Sequence, residues 1–225
     1  MKNPTLSFLK KTVAAQIHLA VFLFAIGGSF ALVSLSANYE THHVLGTLVF
    51  SVTSMLVFGI SAFYHFWADG FQLNSRQERI LENLDQSAIY LFIAGTQTPF
   101  FINAVSAPWG ETLIAVVWTA ATLGIIYTFT RESWPKWAQS KICYTIPFVI
   151  LGWTPVFRIG EIISNASSNV LFFLACGCLS YTIGAVIYAS EKPNLKSGLF
   201  GFHELWHCFS GLGFIFHYFM ILQFY

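Results

Sequence analysis

Charged residues make up only 9% of this 225-residue chain, while 56% are hydrophobic. Soluble domains carry about 25% charged residues. That scarcity excludes a soluble globular protein. A net charge of +1 without any basic patch excludes a nucleic-acid partner. Cysteine is scarce too. Cys143, Cys176, Cys178 and Cys208 form no CxxC pair and no disulfide-framework spacing. All four lie in apolar stretches and are expected to be small, buried, inert side chains. No internal repeat, low-complexity segment or run of like charge interrupts the chain. It therefore reads as one integral membrane domain over residues 1–225.

What the sequence does have is long apolar runs. A membrane helix needs about 20 mostly apolar residues. Seven runs qualify, at residues 13–36, 43–67, 84–104, 109–130, 142–157, 169–190 and 202–224. The first is too long for the 7–15-residue core of a signal peptide and is expected to be retained. The fifth is the shortest and carries Pro147 and Pro155. Proline is tolerated in a span where neighbours satisfy the freed carbonyls. Gly177, Gly184, Gly211 and Gly213 in the last two spans are expected to let helices approach closely. The reading is an all-α membrane protein, a seven-transmembrane bundle with short connections and antiparallel neighbours.

Basic residues alternate between the connections. Lys2, Lys10 and Lys11 precede the first span, and Arg76 and Arg79 follow the second. Arg131, Lys136 and Lys141 follow the fourth; Lys192 and Lys196 follow the sixth. Only Arg158 falls on the opposite side, so ten of the eleven basic residues share one side. That places the N-terminus in the cytoplasm and the C-terminus outside.

Against this apolar background, His65, Asp85, His203 and His207 stand out. Ionisable groups inside a bilayer are costly, and each is a functional candidate by default. With alternating span directions, all four fall at cytoplasmic helix ends, roughly 9–15 Å below the midplane. His203 and His207 are spaced i, i+4 and share one helix face, a chelating geometry. His65 from another helix makes three protein ligands and leaves a fourth position for water, the pattern of catalytic zinc. Asp85 is then placed as general base or as a group orienting the ligands. It also reads as an N-cap for the third span. Ser61 lies one turn before His65 on the same face. Its hydroxyl is positioned for the bound water or a developing oxyanion. His18, His42, His43 and His217 read as interfacial. His217 is about 15 Å from His207 by helix rise, too far to share a metal, and is expected to bond a neighbouring helix. Cys208 points about 100° away from His207 and is a poor fourth ligand.

Residues 203–207, His-Glu-Leu-Trp-His, also match the metalloprotease pattern H-E-x-x-H, with Glu204 as base. An intramembrane metalloprotease is therefore one alternative.

Three segments together resemble the hemolysin III family, within the wider progestin and adipoQ receptor superfamily. They are Ser61-Ala62-Phe63-Tyr64-His65; Leu84-Asp85-Gln86-Ser87-Ala88-Ile89-Tyr90 with Ile93-Ala94-Gly95-Thr96-Gln97-Thr98-Pro99-Phe100; and Phe202-His203-Glu204-Leu205-Trp206-His207 continuing to His217-Tyr218. The resemblance covers nearly the whole chain, in order. It implies a zinc ion held by His65, His203 and His207, with Asp85 and Ser61 beside the metal-bound water. Similarity to adiponectin receptors and alkaline ceramidases implies hydrolysis of a lipid amide, with a membrane lipid as substrate. The short chain looks more like the bacterial type, which implies a bacterial cytoplasmic membrane. Gln97 stands where an aromatic residue is expected and Gln86 where histidine is common. Glu204 is not a fixed feature of the superfamily's motif. The expected function is a zinc-dependent lipid hydrolase. The alternatives are a receptor or sensor with a structural zinc, the metalloprotease, and a cytolysin or pore; no span shows the polar stripe that lines a channel.

Overall fold

A computed structural model describes residues 12–71, 73–196 and 199–225, and Lys2, Lys10 and Lys11 lie outside them. The described residues are helical, with no β-strand beyond an isolated bridge between Lys196 and Phe200. The helices are α1 (Val13–Ser36), α2 (Thr41–Gly70), α3 (Ser75–Ala104), α4 (Trp109–Thr130), α5 (Lys141–Gly152), α6 (Ile159–Asn165), α7 (Ser168–Ser190) and α8 (Phe202–Leu222). Six segments are long and apolar enough to cross a membrane, the fifth running through α5 and α6 as Lys141–Asn165. The protein is an integral membrane protein.

The expected third span is not among those six, and its surroundings give the reason. Residues 94–101 of α3 are buried on every side. A helix enclosed by protein rather than lipid need not be uniformly apolar. This one carries Thr96, Gln97 and Thr98 in its buried stretch. It also begins nine residues before the expected position. The Asn74 side chain accepts from the Gln77 N–H at 2.9 Å, and Gln77 returns the bond to the Asn74 N–H at 3.3 Å. This reciprocal capping box fixes the helix start. Asp85 is therefore inside the helix and is not its N-cap, and Arg76 and Arg79 belong to its first turns rather than to a loop.

The short fifth run is also corrected. α5 ends at Gly152, a 3-10 turn spans Thr154–Arg158 around Pro155, and α6 continues to Asn165. Proline cannot supply the N–H that would continue the helix. The freed carbonyl of Leu151 instead accepts from the Gln97 side-chain amide at 2.7 Å and from Thr154 Oγ1 at 2.9 Å. The Thr154 hydroxyl also meets the Gln97 carbonyl. Gln97 thus closes a helix break, which explains an amide where an aromatic residue was expected.

α3 packs between α2 and α4, α1 lies on α2, and α7 lies on α8. α1 also contacts α8, which brings the two ends of the chain together. Phe50, Phe58, Phe92 and Phe214 fill the interior where α2, α3 and α8 meet, with Phe58 and Phe214 centroids 4.9 Å apart. α7 and α8 interlock through glycine. A Cβ on Gly177 would lie 2.1 Å from the His217 ring, and one on Gly213 would lie 2.7 Å from Tyr181. Each helix thus receives an aromatic ring from the other. Gly177→Ala is expected to destabilise the protein by about 1–3 kcal/mol, the usual cost of overpacking. A lowered unfolding midpoint in detergent would register it, and an unchanged midpoint would refute the interlock.

The four cysteines depart from expectation. Cys143, Cys176 and Cys178 are only partly buried and Cys208 is exposed; Cys178 faces the interior cavity.

Candidate metal centre

One end of the bundle is tied together by polar contacts between helix termini. Arg79 bonds Glu132 at 2.7 Å and Lys141 bonds Glu191 at 2.6 Å. Arg131 reaches Glu82 at 3.2 Å and Gln86 at 2.9 Å, and its guanidinium lies over the Tyr144 ring. The last turns of α2 and the first turns of α8 converge at this end.

His65 comes from α2, and His203 and His207 come from α8. The ligand nitrogens of the three rings all lie within 4.8 Å of one another. Ring centroids are 4.8 Å apart for His65–His203, 4.6 Å for His65–His207 and 4.7 Å for His203–His207. The i, i+4 spacing on α8 supplies two of these rings, and α2, which faces α8 through ring contacts such as Phe58–Phe214, supplies the third. At zinc–nitrogen bonds of about 2.0–2.1 Å, tetrahedral ligands sit roughly 3.4 Å apart. Small ring rotations reach that value.

A further observation supports the fit. Nε2 of His207 is buried with no hydrogen-bond partner. A buried polar atom without a partner is costly, and a metal ion would satisfy one. Neither Asp85 nor Cys208 joins the group, which offers three protein ligands. The three residues can hold a metal ion.

Asp85 and Ser61 stand beside the cluster. Ser61 and Asp85 line the same cavity as His207. Two cavities meet here. One presents a mainly apolar surface, to which Val57, Phe92, Leu174 and Met220 contribute. The other, more polar, has Tyr64, Glu82, Gln86 and Tyr188 on its walls. Asp85 and His207 line both.

The remaining candidates separate clearly. The Glu204 carboxylate reaches back to the Gly201 N–H at 2.7 Å. It accepts from the backbone N–H of the N-cap residue at the start of α8 and is not aimed at the cluster. His42 is exposed beside Glu40, and His43 sits with it in the first turn of α2. His18 and His217 are not interfacial, contrary to expectation: they are 4% and 8% exposed. His217 packs its ring against Gly177 and Tyr181 of α7. His18 packs directly on His207, Nε2 to Nδ1 at 2.9 Å.

Two neighbours were missed. His18 lies five residues into the first apolar run, and a lone histidine near a span's end carries no signal of its own. Asp69 follows His65 by four residues and places a carboxylate oxygen 3.4 Å from Nδ1. The i, i+4 spacing was visible in the sequence and would have found it.

A family model described as Haemolysin-III related matches residues 6–218. Hemolysin-3 of Bacillus cereus is 30% identical over 205 residues, which is 90% of this chain and 86% of that protein. The Hemolysin-3 homolog of Bacillus subtilis (strain 168) is 26% identical over 203 residues, 89% of this chain and 88% of that protein. The Homo sapiens protein named Monocyte to macrophage differentiation factor is 26% identical over 148 residues, 65% of this chain and 56% of that protein. The family match runs from before α1 into the last turns of α8, so every helix that contributes to the histidine cluster lies within it, and the chain belongs to the Haemolysin-III related family.

Proposed function

We propose that this protein is a zinc-dependent membrane hydrolase that cleaves an amide or ester bond in a lipid. The observation that carries the reading is a cluster of three imidazoles with their nitrogens within 4.8 Å, set where an apolar cavity meets a polar one. Three protein ligands leave a coordination position open, which favours catalysis over a closed structural site. The apolar cavity suits acyl chains and the polar one a headgroup, so a scissile bond between them would fall beside the histidines.

The proposed topology has seven spans, with α3 as the enclosed seventh, the N-terminus in the cytoplasm and the C-terminus outside. The cluster then lies in the cytoplasmic half of the bilayer. The basic residues Arg79, Arg131 and Lys141 at the same end of the bundle support that orientation. The membrane is proposed to be a bacterial cytoplasmic membrane.

His65, His203 and His207 would hold the ion. Bound zinc supplies a water molecule acidic enough to be a nucleophile near neutral pH and an electrophile for a carbonyl. Asp85 accepts the proton lost as water adds to the carbonyl and returns it to the departing nitrogen or oxygen when the carbon–heteroatom bond breaks. Ser61, which lines the same cavity, would donate to Asp85 and aim the carboxylate. The helix walls around the apolar cavity keep bulk water from the acyl portion of the substrate.

The test is a screen of purified protein against lipid amides and esters, with products followed by mass spectrometry. Release of a fatty acid that depends on added zinc supports the reading. Zinc-loaded protein inert toward every class would leave a receptor or sensor with a structural metal. Channel conductance in vesicles that survives His203→Ala would point instead to a pore.

The metalloprotease alternative loses its base, because Glu204 is engaged at the helix start. Glu204→Gln keeps an acceptor for the Gly201 N–H and is expected to leave zinc binding and lipid turnover near wild type. A metalloprotease would lose several orders of magnitude in the same variant.

A further inference from the structure

His18 packs against the histidine cluster without belonging to it. It comes from the second turn of α1 and is 4% exposed. Its Nε2 is 2.9 Å from Nδ1 of His207 and 3.1 Å from the Ser210 hydroxyl. The two imidazoles meet edge to face, with centroids 4.1 Å apart and planes at 89°. Phe58 meets the His18 ring edge to face at 5.2 Å and holds it in place.

The chemistry of His207 gives this contact a purpose. A neutral imidazole has one N–H and one lone pair. A nitrogen that binds a metal must present the lone pair, so the proton must sit on the other nitrogen. In His207 the nitrogen left without a protein partner is Nε2, and the bonded one is Nδ1. A proton on Nδ1 is buried and needs an acceptor, and the nearest acceptor is Nε2 of His18. The Ser210 hydroxyl can donate to the His207 carbonyl at 3.0 Å, which leaves the His18 lone pair for His207.

We propose that His18 is a positioning residue for the metal centre: it accepts the Nδ1 proton of His207 and so commits Nε2 of His207 to the ion. The inference rests on the metal-binding reading above but not on turnover. His18 is not itself a ligand, since its Nε2 is directed at His207 and Ser210. His65 has a weaker counterpart in Asp69, whose 3.4 Å separation is long for a hydrogen bond.

The experiment is zinc affinity of the full-length purified protein, read by competition with a chromogenic chelator. His18→Leu keeps similar bulk and removes the acceptor. It is expected to weaken zinc binding about 10–100-fold, the usual effect of losing such a partner. His18→Gln can place its amide oxygen near the position of Nε2 and is expected to restore affinity close to wild type. Wild-type affinity in His18→Leu would overturn the proposal. So would a glutamine variant as weak as the leucine one, which would reduce His18 to packing. Should the leucine variant fail to fold, His18→Met, also without a nitrogen acceptor, carries the same comparison. A wild-type protein with no zinc affinity overturns the metal reading and this inference with it; a zinc-binding wild type with an unaffected His18→Leu overturns only this inference.

Discussion

Purified wild-type protein is expected to carry about one zinc per chain, and the His203→Ala, His207→Ala double variant none. The two rings occupy one face of α8 and supply two of the three ligand nitrogens within 4.8 Å. Removing both leaves His65 alone, and a single imidazole does not retain zinc against a detergent wash. Elemental mass spectrometry of protein and variant decides the matter. The variant is also expected to stay folded in detergent, because the interlock of α7 and α8 lies farther along both helices, at Gly177 with His217 and Gly213 with Tyr181. Absence of metal from well-folded wild-type protein, even after zinc is added, would end the hydrolase proposal. Equal zinc in both proteins would place the ion elsewhere.

The second large effect concerns Asp85. Asp85→Asn preserves size and the capacity to accept from Ser61 but cannot take a proton. If Asp85 is the general base, turnover is expected to fall about 10²–10⁴-fold, the usual contribution of such a group. Zinc content should remain at the wild-type level, since Asp85 is outside the ligand group. The pairing of these readouts is what makes the result informative. Full turnover with full metal would remove Asp85 from the proton path. Loss of metal in Asp85→Asn would make the carboxylate a ligand, closing the site and favouring a structural zinc.

Much of this arrangement was legible in the sequence because hydrophobicity is a direct record of contact with lipid. The limits of α1 and α4 coincide with the apolar runs at residues 13–36 and 109–130. Where a helix faces protein instead, the record fades. α3 is enclosed by its neighbours, so polar residues within it carry little lipid cost, and its charged first turns hide a helix start nine residues upstream of the apolar run. The proline near the break reads as tolerated within one span, and nothing local shows its partner. Gln97 is distant in sequence, and only packing shows that its amide meets the stranded carbonyl of Leu151.

The three expected ligands could be found because ionisable residues in apolar segments are rare and the i, i+4 pair declares a shared face. His18 met the first condition yet had no partner nearby in sequence. Its role depends on α1 folding back against α8, a contact between opposite ends of the chain that no local pattern encodes. Glu204 illustrates the converse. Its place in H-E-x-x-H invites a catalytic role, while its position three residues after Gly201 equally fits a helix cap, and the 2.7 Å bond selects the second.

The union of α1 and α2 with α8 also orders events during synthesis. His65 is in the membrane long before His203 and His207 leave the ribosome, since more than half the chain separates them. The three-nitrogen site therefore does not exist in any nascent chain that lacks the last helix. Metal uptake at this site must follow insertion of α8, and the ion would act as a late clasp between α2 and α8.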